Sequence, residues 1–223
     1  GQYVKEMGAD ETGLGRWSWL RMEGNNDIKT TIITAYSPCK PRQHSYFSTF
    51  AQHQRYLNIN GIKECPKTNF RKVLLEFIKV RISKGDKIVL MMDGNENMQT
   101  GKLAKALTKE PFNMIDSIRT KIGHLKFATH YRGREQIDAI WISKNLEATK
   151  ATALPFFFSI GDHRGFIMDV PEELILGNKL TTIQRPYARR LICKKREVQA
   201  KYIKELEYQI AYHKLNKNME YIK

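Results

Sequence analysis

The stretch Lys87-Ile-Val-Leu-Met-Met-Asp93-Gly94-Asn95-Glu96-Asn97 joins an apolar strand to an abrupt polar end. Apolar residues without polar alternation are typical of a strand that is covered on both faces, as in a sheet between two other layers. A carboxylate at the end of such a strand costs free energy unless it is paired or binds a cation. The stretch therefore predicts a central strand with a polar group at its carboxyl end.

Strands and helices alternate on both sides of this strand. Period-two alternation and β-branched residues predict a hairpin over 16–36 with its turn at 24–27. Apolar residues three and four apart predict a helix over 69–83. Weaker patterns predict helices at 45–57 and 101–109, an irregular segment at 112–118, and strands at 126–130, 136–143 and 165–170. These elements favour a mixed α/β fold in which sandwiched sheets are flanked by helices.

Composition favours a globular protein with a polyanionic partner. The 223 residues carry a net charge of +15, and 41% of them are hydrophobic, which argues against global disorder. Residues 174–223 hold 12 Lys and Arg against four Glu, so we interpret them as a basic helical extension or linker. Residues 1–13 form a polar lead, and 14–173 form the main domain. Nucleic acid is the favoured partner over an acidic membrane surface, and no apolar stretch is long enough to span a membrane.

The cysteines and the amino terminus bear on the compartment. Cys39, Cys65 and Cys193 have neither paired nor zinc-type spacing, which favours a reducing compartment. No secretory leader opens the chain. We therefore expect an intracellular protein, located in the nucleus if the source is eukaryotic.

Two further acids and a histidine lie in apolar surroundings. Asp138 is embedded in the apolar run 136–142, and Asp162 and His163 interrupt the apolar run 158–170. A carboxylate that binds one ring nitrogen of a histidine fixes its tautomer, so the other nitrogen can donate to a phosphate oxygen. Asp93 and Asn95 lie two residues apart and could face a cation and a water together. Asp162 could bind a metal or orient that water.

Each of these residues also has a purely structural interpretation. Asp93-Gly94-Asn95 is ordinary turn chemistry, Asp138 could pair with a nearby arginine, and His163 could be a satisfied structural histidine. Tyr36 ends the second hairpin strand, where its phenol could bind phosphate or pack into the core. Exposed arginines could be solvated surface or could contact a nucleic-acid backbone. The arginines in question are Arg132, Arg134 and Arg164.

The order of four motifs is more specific than any one of them. They are Thr34-Ala-Tyr36-Ser-Pro38, Asp93-Gly94-Asn95, Ile137-Asp138-Ala-Ile-Trp-Ile-Ser143 and Ser159-Ile-Gly-Asp162-His163-Arg164. Together they resemble the endonuclease/exonuclease/phosphatase superfamily, and within it the apurinic/apyrimidinic-type endonuclease domain of non-LTR retrotransposons. The resemblance implies a four-layered α/β sandwich that hydrolyses phosphodiesters with Mg²⁺, or with Mn²⁺ as an alternative.

The resemblance also implies roles for individual residues. Asp93 would deprotonate the attacking water, Asn95 would position the water or the phosphate, and Tyr36 would bind the phosphate. Asp138 would pair with His163, which would contact the scissile phosphate. Asp162 would serve the metal or its water shell.

Part of the family pattern is missing from this sequence. An Asn near the end of the first family strand and a metal-binding Glu after a following strand have no counterpart here, so the chain resembles the C-terminal half to two-thirds of the domain. We therefore expect an incomplete sandwich with a C-terminal helical extension. Arg185-Pro-Tyr-Ala-Arg-Arg-Leu191 is similar to the connector that leads towards a reverse transcriptase.

These features give one leading functional hypothesis and two alternatives. The leading hypothesis is a monomeric DNA-nicking endonuclease domain of a retroelement, with a reverse transcriptase region downstream and activity that depends on the missing part. The first alternative is a nucleic-acid-binding remnant without catalysis. The second is a phosphatase or phosphodiesterase of the same superfamily that acts on a phosphoinositide or sphingolipid.

Overall fold

The computed structural model describes residues 3–41, 45–123, 127–159, 161–178 and 195–213. The chain divides into two compact units, Gly1–Leu180 and Thr181–Lys223. In chain order, the first unit contains β1 (Val4–Ala9), β2 (Trp17–Glu23), β3 (Lys29–Tyr36), α1 (Thr49–Ile59), α2 (Pro66–Ser83), β4 (Lys87–Asp93), α3 (Lys102–Leu107), β5 (Met114–Asp116), α4 (Ser117–Ile122), β6 (Asp138–Ser143), β7 (Lys150–Ala153), a 3₁₀ helix (Phe156–Phe158), β8 (Phe166–Asp169) and α5 (Glu172–Leu176). The second unit contains α6 (Arg196–Tyr212).

Six strands form the main sheet in the order β1-β2-β3-β4-β6-β5. Strands β3 and β4 are parallel, with α1 and α2 in the connection between them, and the other neighbouring pairs are antiparallel. Because β6 runs against β3 and β4, its amino end lies at the same edge of the sheet as their carboxyl ends. This edge collects the polar residues that follow the apolar strands.

The sheet is covered on both faces, as the apolar sequence of β4 predicts. Leu90 of β4 packs into one apolar cluster with residues of α2 and α3, whereas Val89 packs into a second cluster on the other face. The second cluster includes side chains from α4, α5, β7 and β8, and β7 and β8 form a separate two-stranded sheet. Each large apolar side chain buried in these clusters contributes about 1.5–3 kcal/mol. The mixed α/β class is confirmed, and the second sheet has two strands in the described part.

The hairpin and the long helix agree with the sequence patterns. Strands β2 and β3 pair in antiparallel register from Trp17 opposite Ala35 to Glu23 opposite Lys29. Helix α2 begins at Pro66, three residues before the predicted start, because proline fits the first helical position, where no N–H partner is needed. Ser48 caps α1 by accepting a hydrogen bond from the amide of Ala51 (3.2 Å).

Three local predictions differ from the structure. The segment 112–118, predicted to be irregular, contains β5 and the start of α4. The Asp116 carboxylate caps α4, because it accepts hydrogen bonds from the backbone N–H groups of Ile118 and Arg119 (3.1 Å each). The strand predicted over 126–130 is wrong for the described residues 127–130, where His130 makes one isolated bridge to His163. The polar lead 1–13 contains β1, an edge strand that pairs with β2.

A buried polar network ties β1 to the sheet at the end away from the catalytic candidates. Arg21, 7% exposed, donates from Nε to Oδ2 of Asp86 (3.0 Å) and from Nη1 to both Glu6 and Glu23. The hydroxyl of Thr31 donates to the same Asp86 oxygen (2.8 Å). These ionic contacts explain why a strand with little apolar content is held at the edge of the sheet.

The second unit is described through α6. This helix has no buried side chain, and the rings of Tyr208 and Tyr212 stack at a centroid distance of 5.9 Å. A helix was predicted in this region, and its terminal part around Leu215 lies outside the described residues, as does the basic segment 185–191. Among the helices that the structure describes, none is long and apolar enough to cross a membrane.

Candidate active site

Three predicted site residues lie side by side at the edge of the main sheet. Tyr36, the last residue of β3, is in register with Asp93, the last residue of β4. Asp93 is in turn paired with Asp138, the first residue of β6. The sheet register therefore brings together a phenol and two carboxylates that are far apart in the sequence.

Asn95 holds the Asp93 carboxylate in place. Its backbone N–H donates to Oδ1 of Asp93 (3.0 Å), and its side-chain Nδ2 donates to Oδ2 of Asp93 (3.2 Å) and to the carbonyl of Ser37 (2.8 Å). Asn95 adopts a φ of 47°, a left-handed conformation that asparagine tolerates better than most residues. The turn chemistry that the sequence allowed is present, and it fixes the orientation of an acid at the same time.

Asp138 and His163 form a hydrogen-bonded pair. Nδ1 of His163 lies 2.9 Å from Oδ2 and 3.1 Å from Oδ1 of Asp138. Burial lowers the pKa of His163, but the hydrogen bond to Asp138 and the charges of Asp138, Asp93 and Asp162 outweigh it, so the pKa is raised. With Nδ1–H bound to the carboxylate, Nε2 is the nitrogen left to donate to an anion.

Burial and neighbouring charge make Asp93 a stronger base than an ordinary carboxylate. Burial raises the pKa of Asp93, the charge of Asp138 raises it further, and the hydrogen bond from the Asn95 amide offsets part of the effect. The same surroundings raise the pKa of Tyr36, first through burial and then through the charge of Asp93. Tyr36 therefore stays a hydrogen-bond donor, whereas Asp93 is suited to accept a proton.

The donor atoms at this edge suit a divalent cation. One oxygen or nitrogen from each of Asp93, Asp138 and His163 lies within 4.8 Å of the others, and the same holds for His130, Asp162 and His163. Mg²⁺ prefers oxygen ligands and is bound by one or two carboxylates that leave room for water. Burial raises the pKa of Asp93 and the charge of Asp138 adds to this, so a cation would relieve the repulsion between the two carboxylates. Asp93 and Asp138 fit such an ion, with Asp162 as a third carboxylate nearby.

His130 is a member of this cluster that the sequence did not reveal. Its Nε2 lies 3.2 Å from Oδ2 of Asp162, and its Nδ1 accepts the backbone N–H of Arg132 (3.1 Å). These contacts fix the tautomer in which Nε2 carries the proton and donates to Asp162. The rings of His130 and His163 meet edge to face at 5.0 Å. No local pattern marks His130, because its position depends on the single bridge to His163.

Thr129 is a second residue that the sequence reasoning missed. Its side chain is fully buried, and its hydroxyl accepts hydrogen bonds from the amides of Ile137 (2.9 Å) and Asp138 (3.1 Å). Thr129 also bonds through its backbone, because its N–H donates to the carbonyl of Glu135 (3.3 Å) and its carbonyl accepts the N–H of Arg164 (2.8 Å). The hydrogen bonds to the hydroxyl fix the backbone from which the Asp138 side chain projects.

Asp162 and the three predicted arginines differ in their exposure and in their hydrogen-bond partners. Asp162 is exposed, and a hydrogen bond from its own backbone N–H is the main cause that lowers its pKa, with His130 and His163 adding to it. The guanidinium of Arg164 makes intramolecular hydrogen bonds, donating to the carbonyls of Ala128 (2.8 Å) and Leu154 (3.2 Å). Arg132 and Arg134 are exposed beside the cluster.

The sequence matches no protein-family model and no curated protein. The structure is similar to several solved structures. The catalytic domain of Xenopus laevis APE2 is 16% identical with a TM-score of 0.49, and the match covers 70% of this chain and 56% of that one. The human Nocturnin catalytic domain with bound sulfate is 14% identical with a TM-score of 0.45, covering 69% and 53%. An endonuclease/exonuclease/phosphatase from Bacteroides vulgatus is 14% identical with a TM-score of 0.45, covering 70% and 54%.

The chain spans little more than half the length of these three structures. At identities of 14–16%, the similarity concerns the fold and does not establish an activity for this chain. One of the three, the Bacteroides vulgatus protein, is an endonuclease/exonuclease/phosphatase.

Proposed function

We propose that this chain is a metal-dependent phosphodiesterase domain that nicks DNA and derives from a retroelement. The observation that carries the proposal is the cluster of Asp93, Asp138 and His163, in which a raised-pKa carboxylate lies beside a histidine held by a second carboxylate. A net charge of +15 favours a polyanionic substrate. The proposal includes an intracellular monomer with a reverse transcriptase region downstream.

Asp93 is the group that takes the proton from the attacking water. As the water oxygen forms a bond to phosphorus, its proton passes to the Asp93 carboxylate, the bond from phosphorus to the leaving ester oxygen breaks, and that oxygen takes a proton from solvent water. The two N–H donors of Asn95 hold the carboxylate in one orientation throughout. Buried, raised-pKa carboxylates are suited to this role near neutral pH.

His163 stabilises the negative charge that grows on the phosphate oxygens. Asp138 accepts its Nδ1–H, which favours the protonated ring and directs Nε2–H away from the carboxylate towards the substrate. Donors placed at developing charge contribute most when they are already oriented. Tyr36, protonated because of its raised pKa, is a further donor at the same edge. Asp162, the acid of the cluster that neither takes the proton nor holds His163, would help to hold Mg²⁺, which would supply positive charge to offset that of the phosphate.

Nicking of supercoiled plasmid tests the proposal. We expect the purified chain to convert supercoiled DNA to the open circle with Mg²⁺, and EDTA to abolish this. His163→Ala should lower the rate about 10²- to 10³-fold, because one oriented donor is lost. Asp169→Asn is a matched control, since Asp169 is an exposed acid on β8. Plasmid that is retarded on a gel but never nicked would instead identify a nucleic-acid-binding remnant.

A further inference from the structure

A group of exposed aromatic side chains lies beside the candidate active site. Tyr131 is 70% exposed, Phe157 is 80% exposed and Phe158 is 68% exposed. The rings of Phe157 and Phe158 lie 4.5 Å apart at an angle of 41°. Large apolar groups that cluster on a surface mark sites of interaction. We call Tyr131, Phe157 and Phe158 the aromatic rim.

The aromatic rim is attached to the segments that carry the candidate catalytic residues. Tyr131 follows His130 directly, and its backbone N–H donates to the carbonyl of Asp162 (2.7 Å). The ring of Tyr131 meets that of Phe156 edge to face at 5.6 Å, so the residue before Phe157 contacts the residue after His130. The rim therefore borders the same site as His163.

Arg164 fixes the base of the rim. Its guanidinium lies 4.2 Å above the ring of Phe156, and it donates to carbonyls on both adjoining segments, at Ala128 and Leu154. Phe156 is thus held in contact with Arg164, and the rings of the next two residues are exposed. Rings held in place on a surface lose little freedom when a flat ligand stacks on them.

The charges around the rim indicate the kind of ligand. Arg132, the residue after Tyr131, and Arg134, two residues further on, are exposed, and the chain carries an excess of 15 positive charges. Flat apolar faces next to cations fit a ligand with both flat rings and anionic groups, which is the chemistry of a nucleic-acid strand. In a regular duplex the base faces are covered by their neighbours, so the rim can stack only on a base that is unpaired.

We propose that the aromatic rim stacks on an unpaired nucleobase next to the phosphate bound at His163, so that single-stranded or locally unpaired DNA binds better than regular duplex. This inference rests on the proposed function for the position of the phosphate. It adds a substrate preference that the cluster of Asp93, Asp138 and His163 does not itself provide.

Binding of oligonucleotides in EDTA tests the inference without any cleavage. The probes are a single-stranded 12-mer that carries one 2-aminopurine, the same strand in a duplex, and a duplex with one mismatch at that base. We expect binding of the protein to quench the 2-aminopurine fluorescence of the single strand. The fluorescence of the regular duplex should not change. The double variant Phe157→Ala/Phe158→Ala should bind the single strand about tenfold more weakly, in keeping with the loss of one stacked base.

A matched variant separates ring stacking from apolar contact. Phe157→Leu/Phe158→Leu keeps most of the apolar area and removes two of the three flat faces, so the quenching should fall as it does in the alanine variant. Both variants should melt at the wild-type temperature, because the replaced side chains are exposed. Equal affinity for single strand and duplex, or quenching that is undiminished in the leucine variant, would overturn the inference.

Other partners for the rim would also overturn it, and they give distinct results. Binding to phosphatidylserine vesicles that is lost in the alanine variant would identify a membrane surface. A dimer in sedimentation experiments that the alanine variant abolishes would identify a contact between copies. If wild-type chain quenches 2-aminopurine but does not nick plasmid, the rim is supported and the proposed catalysis fails. If the chain nicks plasmid but shows no preference for unpaired bases, the proposed catalysis is supported and stacking on the aromatic rim is refuted.

Discussion

Replacing Asp138 by asparagine tests the Asp138–His163 pair through its effect on stability at different pH values. Asp138→Asn keeps the size of the side chain and removes the charge that favours protonated His163. A charge-assisted hydrogen bond contributes about 1.5–3 kcal/mol, and because 33% of the His163 side chain is exposed we discount this to about 1 kcal/mol. The loss should lower the melting temperature by about 2–4 °C in a chain of this size.

The sign of the effect depends on pH. The pKa of His163 is raised in the folded protein, so its stabilising contribution is fully present below the unfolded pKa, near 6.5, and is lost as the pH rises through the folded pKa. Above that pH range the variant also gains stability, because Asp93 no longer lies next to a second negative charge. We therefore expect wild type to be more stable than Asp138→Asn at pH 5.5, and the difference to vanish or reverse by pH 9.

Urea unfolding at several pH values between 5.5 and 9 measures this difference, and Asp169→Asn serves as the control for the loss of one exposed acid. NMR titration of the histidine rings gives the second readout, since the pKa of His163 should fall in Asp138→Asn. A difference in stability that is constant over the whole pH range would refute the reasoning, because packing rather than charge would then explain it. An unchanged His163 pKa would refute it as well.

Three further predictions concern separate parts of the molecule. Asp93→Asn should lower plasmid nicking about 10²- to 10⁴-fold by removing the proton acceptor, while gel retardation of the plasmid stays unchanged; a variant with normal nicking would assign the base elsewhere. Asp86→Ala should destabilise the fold by about 3–5 kcal/mol in urea, because Arg21 is left buried without its main partner, and a loss below 1 kcal/mol would contradict this. His130→Gln should keep more nicking activity than His130→Ala, because the glutamine amide can still donate to Asp162; equal losses would show that this hydrogen bond has no effect.

The sequence predicted the central part of the fold because the apolar pattern determines it. The uninterrupted apolar run 88–92 indicates a strand covered on both faces, and β4 is such a strand. The hairpin of β2 and β3 follows from its alternation and turn residues in the same way. Strand β1 could not be recognised, because it is held by ionic contacts such as that between Glu6 and Arg21 rather than by apolar periodicity.

The residues of the site were visible in the sequence, but their arrangement was not. Asp93 and Asp138 stood out as carboxylates next to apolar runs, yet their pairing follows from the register of β4 and β6, which local patterns do not specify. His130 and Thr129 act through long-range contacts to Asp162 and to the amides of 137 and 138. From the sequence, Arg164 was a candidate for an exposed arginine. In the structure, its guanidinium instead donates hydrogen bonds to two backbone carbonyls.

A double-mutant cycle on the rate of plasmid nicking tests the central claim, which is that Asp138 acts through His163. The rates of wild type, Asp138→Asn, His163→Ala and the double variant are measured with Mg²⁺ under the same conditions. If the two residues act as one unit, the double variant should lose no more activity than His163→Ala does. Losses that multiply in the double variant would contradict the pairing, and a wild-type chain that never nicks DNA would contradict the proposed activity itself.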